Sequence, residues 1–131
     1  MTRPDPEDPK AAAAAMQVLD GFMTALNDRS EAGLLAALHF PHYRLARGRM
    51  TVWDDIGTYM RDFSARAGTD WHDSVWLRRD IVAAAPDKVH VDVEFARRRA
   101  DGSEIARYRS LWVIARLDGT WKAQLRSSFG N

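Results

Sequence analysis

The 131-residue chain contains no cysteine. Disulfide frameworks, thiolate metal sites and cysteine nucleophiles are therefore excluded, and stability falls to the core. It also lacks any stretch approaching the roughly 18 apolar residues of a membrane-spanning helix. Its first ten residues, MTRPDPEDPK, are polar and proline-rich where a secretory leader would be apolar. Both absences lead to the expectation of a cytoplasmic protein. No Gly-x-Gly-x-x-Gly, P-loop or Gly-x-Ser-x-Gly sequence occurs, so no cofactor is expected and a serine-hydrolase elbow has no support. The four histidines, at 39, 42, 72 and 90, lack HxxxH or HExxH spacing, and no metal site is expected.

Net charge is nearly absent as well, at +1, but it is unevenly spread: residues 1–75 hold 8 basic and 11 acidic side chains, residues 76–131 hold 11 and 7. An excess this mild, dispersed over strands, reads as a solvated face more readily than as an anion site, and nucleic acid is not an expected partner. The densest run, Arg97, Arg98 and Arg99, adjoins a turn and reads as a solvated hairpin end. What remains is ordinary globular composition, with 46% hydrophobic residues, 28% charged and five tryptophans. The length fits a single domain over 1–131, with 1–8 as a flexible tail.

Asp8 and Pro9 form an N-cap and a first-turn proline, after which Met16, Leu19, Phe22, Met23 and Leu26 recur at helical spacing, predicting a helix over 9–27. Ser30 caps a second, shorter helix whose Leu34, Leu35 and Leu38 share a face and which Pro41 stops. Tyr43–Ala46 and Arg49–Trp53 flank Arg47 and Gly48 as a small hairpin. Asp54 or Asp55 then caps a third helix carrying Ile56, Tyr59, Met60 and Phe63 and ending near Gly68.

From Trp71 onward the period becomes two. Val89, Val91, Val93 and Phe95 alternate with His90, Asp92 and Glu94, which places that polar trio on the convex side if the valines fill the concave side. Turn residues at Pro86-Asp87, Asp101-Gly102 and Asp118-Gly119 divide 70–129 into four sequential antiparallel strands.

The stretch FMTALNDRS (22–30), the HFP segment (39–41) and the C-terminal DGTWKAQLRSS (118–128) resemble the nuclear transport factor 2-like, or SnoaL-like, superfamily over nearly the whole chain. The resemblance implies an α+β cone in which three N-terminal helices pack on a strongly curved mixed or antiparallel sheet, with the early hairpin at its side. A strongly curved sheet cannot fill its own concavity with backbone, so an apolar pocket is expected inside. Phe22, Met23, Leu26, Phe40, Tyr43, Trp53, Tyr59, Phe63, Trp76, Tyr108 and Trp112 are the candidates to line or plug it.

His39, at the junction after the second helix, is the first candidate for proton transfer, followed by Tyr59; a histidine satisfied by a backbone carbonyl is the competing reading. Ketosteroid isomerases of the superfamily pair a carboxylate base with a tyrosine and a protonated acid, and this chain has His39 and His42 where that pattern has an aspartate. Scytalone dehydratase-like chemistry would require His39, Tyr43 and Tyr59 to converge. Arg79 and Asp80 imitate the pair of epoxide-hydrolase relatives, but neighbours on a strand point to opposite faces.

In the fifth strand, Tyr108, Ser110, Trp112 and Ile114 alternate with Arg109, Leu111, Val113 and Ala115. Apolar groups on both sides imply a homodimer through the convex face. Three functions stay open: binding of a small apolar ligand, a cofactor-independent isomerase, dehydratase or hydrolase-like enzyme, and a protein interaction module.

Overall fold

Asp8 is extended and accepts the Ala11 N–H at 3.0 Å, with Pro9 in the first turn, so the chain enters α1, Pro9–Asn27, with its first donors satisfied. The computed structural model describes residues 8–130, and residues 1–7 of the expected tail lie outside the described residues. Ala11, Ala15, Leu19, Phe22, Met23 and Leu26 form the buried stripe of α1. Ser30 accepts from Gly33 N at 3.0 Å to start α2, Glu31–Ala37. Asp55 accepts from Thr58 N at 2.8 Å to start α3, Ile56–Ala67, which Gly68 ends at φ 84°. Among the described residues no helix is long and apolar enough to cross a membrane.

The strands are β1 (Leu38–Ala46), β2 (Arg49–Trp53), β3 (Asp73–Ala84), β4 (Lys88–Arg98), β5 (Glu104–Leu117) and β6 (Thr120–Phe129). They form one six-stranded sheet in the order β2-β1-β6-β5-β4-β3. Four of its pairings are antiparallel, and β1 runs parallel to β6. The sheet is therefore mixed and open, with β2 and β3 as its edges. The two-residue turns Arg47-Gly48 and Asp118-Gly119 hold positive φ at both positions (54° and 71°, 51° and 78°), the geometry that joins twisted antiparallel strands tightly.

The segment after α2 departs from the sequence expectation. The helix stops at Ala37 and not at Pro41: Leu38 is already extended at φ −119°, and His39, Phe40 and Pro41 belong to β1. Proline has no N–H to give a ladder, and Pro41 falls where β1–β6 pairing is interrupted, between Leu38 and Tyr43. Leu35, expected to share a buried face with Leu34 and Leu38, is exposed: the buried face of α2 carries Leu34 and Ala37, and Leu38 is buried from β1.

The concave face carries Val89, Val91, Val93, Trp112 and Ile114, all buried and joined in one core with the apolar stripe of α1. His90, Asp92 and Glu94 occupy the opposite face of β4, where Asp92 accepts from Arg78 and Arg109. Arg79 bonds to Asp20 of α1 and Asp80 to Arg78, so those neighbours diverge.

The crossing of α1 over α2 is tight, since a Cβ added at Gly33 would lie 2.6 Å from the Ala25 Cβ. Relief requires the two helices to separate, because both atoms sit next to helix backbone. Gly33→Val is expected to destabilise the fold by about 2–3 kcal/mol in urea unfolding; a variant as stable as wild type would show that this crossing is soft.

His42 is buried beside Trp53 and Tyr59, with ring centroids 6.0 and 5.9 Å away. Its Nδ1 donates to the Ala123 carbonyl at 3.1 Å, and Nε2 is without a partner. Burial, aided by the charge of Arg126, pushes its pKa down to about 3. The unfolded chain takes up this proton near pH 6.5 and the folded one only near 3, so stability falls as pH drops through that window, by about 1.4 kcal/mol per unit. Urea unfolding at pH 7, 5 and 4 should show His42→Gln less stable than wild type at pH 7, with the gap shrinking on acidification. Parallel pH profiles would remove His42 as the source.

Candidate functional site

Between the helices and the concave face lies a chamber built from every layer. In α1, Phe22, Met23 and Leu26 turn inward at consecutive and i+4 spacing; in α3, Tyr59, Phe63 and Arg66 form one stripe at i, i+4 and i+7. The strands contribute Arg44 from β1, Ser74 and Trp76 from β3, Phe95 and Arg97 from β4, Tyr108 and Trp112 from β5, and Arg126 and Ser128 from β6. The aromatic rings form a continuous wall. Phe22 meets Trp112 at 4.8 Å, Trp112 meets Trp76 at 5.6 Å, Trp76 meets Phe95 at 6.1 Å and Phe95 meets Tyr108 at 5.5 Å.

Unfilled space in the chamber amounts to about 490 Å³ including the part open to solvent, but the centre of a water molecule can reach only about 30 Å³ of it. A shallow groove along α1 and β3, lined by Asp20, Thr24, Asn27, Val75 and Arg98, shares Met23, Ser74 and Trp76 with the chamber.

Of the expected lining residues, Phe22, Met23, Leu26, Tyr59, Phe63, Trp76, Tyr108 and Trp112 meet in this space. Phe40 and Trp53 stand outside the lining and pack on Tyr59, at 6.4 and 5.0 Å between centroids. Tyr43 alternates with the buried His42 and Arg44 and pairs across the sheet with Val52 and Leu125. His39 is also outside the lining. Its Nε2 lies 2.9 Å from the Ala115 carbonyl, so the imidazole is tied to backbone, and His39, Tyr43 and Tyr59 do not converge.

The lining is mainly apolar, but four arginines stand in it: Arg44, Arg66, Arg97 and Arg126. Arg97, read as part of a solvated hairpin end, is 4% exposed; Arg98 pairs with Asp73, and Arg99 is exposed. A signal was present in the chain, since Arg97 continues the two-residue period of Val89, Val91, Val93 and Phe95. Arg66 likewise follows Phe63 by three and Tyr59 by seven. Arg126 had no such signal. It shares the inner face with Ala123 because the β5–β6 ladder shifts register between Ala123 and Leu125.

Arg126 Nη2 donates to Tyr59 Oη at 2.5 Å, and its guanidinium lies 4.6 Å from the Trp112 ring centroid. Arg97 lies 4.9 Å from the Tyr108 ring and donates to the Arg66 carbonyl at 3.4 Å. Arg44 donates to the Gly130 carbonyl at 3.3 Å. Among the described residues, the single carboxylate in ion-pair range of any of the four is Asp62, 3.4 Å from Arg66 Nε. Burial pushes Arg44, Arg66 and Arg97 below the usual guanidinium range, with the charge of Arg126 adding to each, and Arg66 falls to about 10.

The lining thus offers aromatic faces, N–H and O–H groups and positive charge, but no carboxylate, imidazole or thiol. It can hold and orient a molecule rich in acceptors. Among the described residues no three metal-ligating side chains gather.

The architecture has many solved counterparts. A protein of unknown function with a cystatin-like fold from Nostoc punctiforme superposes with a TM-score of 0.74 at 11% identity, covering 96% of this chain and 95% of that one. An NTF2-like protein from Cytophaga hutchinsonii gives 0.69 at 17% identity, over 95% and 99% of the two chains. A ketosteroid isomerase-like protein from Erwinia carotovora atroseptica gives 0.67 at 16%, over 93% and 97%. Identities this low establish the fold alone. No curated protein matches the chain. The NTF2-like protein family (DUF6841) matches residues 12–124, most of the folded part, and the chain belongs to that family.

Proposed function

We propose that the domain binds a small organic molecule in the chamber and holds it without transforming it. The observation that carries this reading is the composition of the lining: a wall of aromatic rings with polar groups that are mainly donors, and no carboxylate or imidazole to move a proton. One of the solved counterparts is described as ketosteroid isomerase-like. Tyr59 and Tyr108 could supply hydroxyl donors for such chemistry, but the base that chemistry needs has no counterpart in the lining.

The reachable space of about 30 Å³ holds two or three waters at most, so a larger guest must displace a side chain. Met23, a flexible thioether on the border between chamber and groove, is the cheapest to move. Trp76 and Trp112 line the space and report on it, so saturable quenching of tryptophan fluorescence by an aromatic guest is the expected result. Met23→Trp should weaken that binding at least tenfold with an unchanged circular dichroism spectrum, and Met23→Ala should retain it. Quenching that never saturates, or that Met23→Trp leaves unaltered, would locate binding elsewhere.

A second copy of the chain is proposed to cover the convex face. Supporting this, Leu45, Met50, Val52 and Leu125 are exposed on neighbouring strands, where register places Leu45 opposite Met50 and Leu125 opposite Val113. Light scattering at micromolar concentration should give a dimer, and Leu125→Arg with Val113→Glu a monomer. A wild-type monomer would dismiss the homodimer and leave the face to a different protein.

A further inference from the structure

We propose that the guest is a small organic anion, its acidic head held among Arg44, Arg66, Arg97 and Arg126 and its apolar body against the aromatic wall. This rests on the chamber being a ligand site.

The first support is how the protein treats arginine elsewhere. On the outer surface Arg78 pairs with Asp80 and Asp92, Arg98 with Asp73, Arg107 with Glu104 and Arg109 with Asp92, while others, such as Arg47, Arg49, Arg61 and Arg116, keep their charge in water. Inside the chamber the order is reversed. Arg44, Arg97 and Arg126 are 8%, 4% and 8% exposed, and no described carboxylate lies within ion-pair range of any of them. A buried charge is costly unless it is paired, and that cost is greatest where like charges are gathered. An anion entering the chamber supplies the missing partner.

The second support is a surplus of donors. Arg66 Nη2, Arg97 Nε, Arg126 Nε and Trp112 Nε1 are buried with no acceptor, and all four belong to residues that line the chamber. Buried polar groups in folded proteins are satisfied in roughly nine cases of ten, so this many orphaned donors around one space points to an acceptor-rich guest. Guanidinium groups match the planar fork of a carboxylate or the oxygens of a phosphate, and bind either more strongly than any neutral acceptor. Size agrees, since the reachable volume of about 30 Å³ suits an oxyanion head but not a whole organic molecule. The body then lies along Phe22, Trp76 and Met23, toward the groove.

Four cations against one acidic group leave an excess that a dianion neutralises better than a monoanion. Fluorescence titration of the wild-type protein with phenyl phosphate, benzoate and benzyl alcohol at low ionic strength tests the order. Phenyl phosphate should bind at least tenfold more tightly than benzyl alcohol, with benzoate between them, and the spread should shrink in 0.5 M sodium chloride (a concentration at which the Debye length is roughly 4 Å). Inorganic phosphate should bind more weakly than phenyl phosphate.

Arg97→Gln and Arg44→Gln should each weaken phenyl phosphate about tenfold and benzyl alcohol far less. Should a variant fail to fold, the wild-type order decides alone. Benzyl alcohol binding as tightly as phenyl phosphate overturns the anion proposal while leaving the chamber as a ligand site. Inorganic phosphate binding as tightly as phenyl phosphate overturns the organic body. Failure of all four compounds to bind overturns this proposal together with the reading it rests on.

Discussion

Arg126 stands where the layers meet. Its guanidinium lies within 6 Å of ring centroids from α1 (Phe22, 5.8 Å), β2 (Trp53, 5.8 Å), α3 (Tyr59, 5.3 Å) and β5 (Trp112, 4.6 Å), and it donates to the Tyr59 hydroxyl. Ring faces attract a cation, so an aromatic cage offsets part of the cost of taking a guanidinium out of water. The rest of the interior adjusts to that charge. Burial lowers the pKa of His42, Arg44, Arg66 and Arg97, and the charge of Arg126 lowers each further.

The two faces of the sheet use the same residue type in opposite ways. Outside, Arg78, Arg98 and Arg109 link neighbouring strands through carboxylates, and exposed pairs of this kind contribute at most about 1 kcal/mol each. Inside, arginines sit against rings and carbonyls and keep unspent hydrogen-bonding capacity. On the proposed reading, the inner set gives up stability in the empty fold for readiness to take an anion. A trade of stability for a prepared site is a common property of binding pockets.

Much of the scaffold was legible because its determinants are local. Asp8 with Pro9, Ser30 and Asp55 mark the helix starts by satisfying N–H groups within three residues. Arg47-Gly48 and Asp118-Gly119 mark tight turns by adopting positive φ. The aromatic part of the chamber was legible too, since Phe22, Tyr59 and Phe63 repeat at helical spacing and Trp112 alternates with outward residues. His39, at the junction after α2, lies on β1 because the backbone is already extended at Leu38, which puts the imidazole within reach of the Ala115 carbonyl.

By itself, then, the sequence determined the α+β class, the helix caps, the hairpin turns and the alternation that separates Val91 from Asp92, because each depends on neighbours a few residues apart. Only the tertiary structure decided the chemistry of the interior. The parallel pairing of β1 with β6 joins segments some 80 residues apart, and the register shifts beside Leu38 and Ala123 set which side chains of β1 and β6 turn inward. A one-residue slip exchanges the faces of a strand, so Arg44 and Arg126 became chamber residues through pairings that no local pattern encodes.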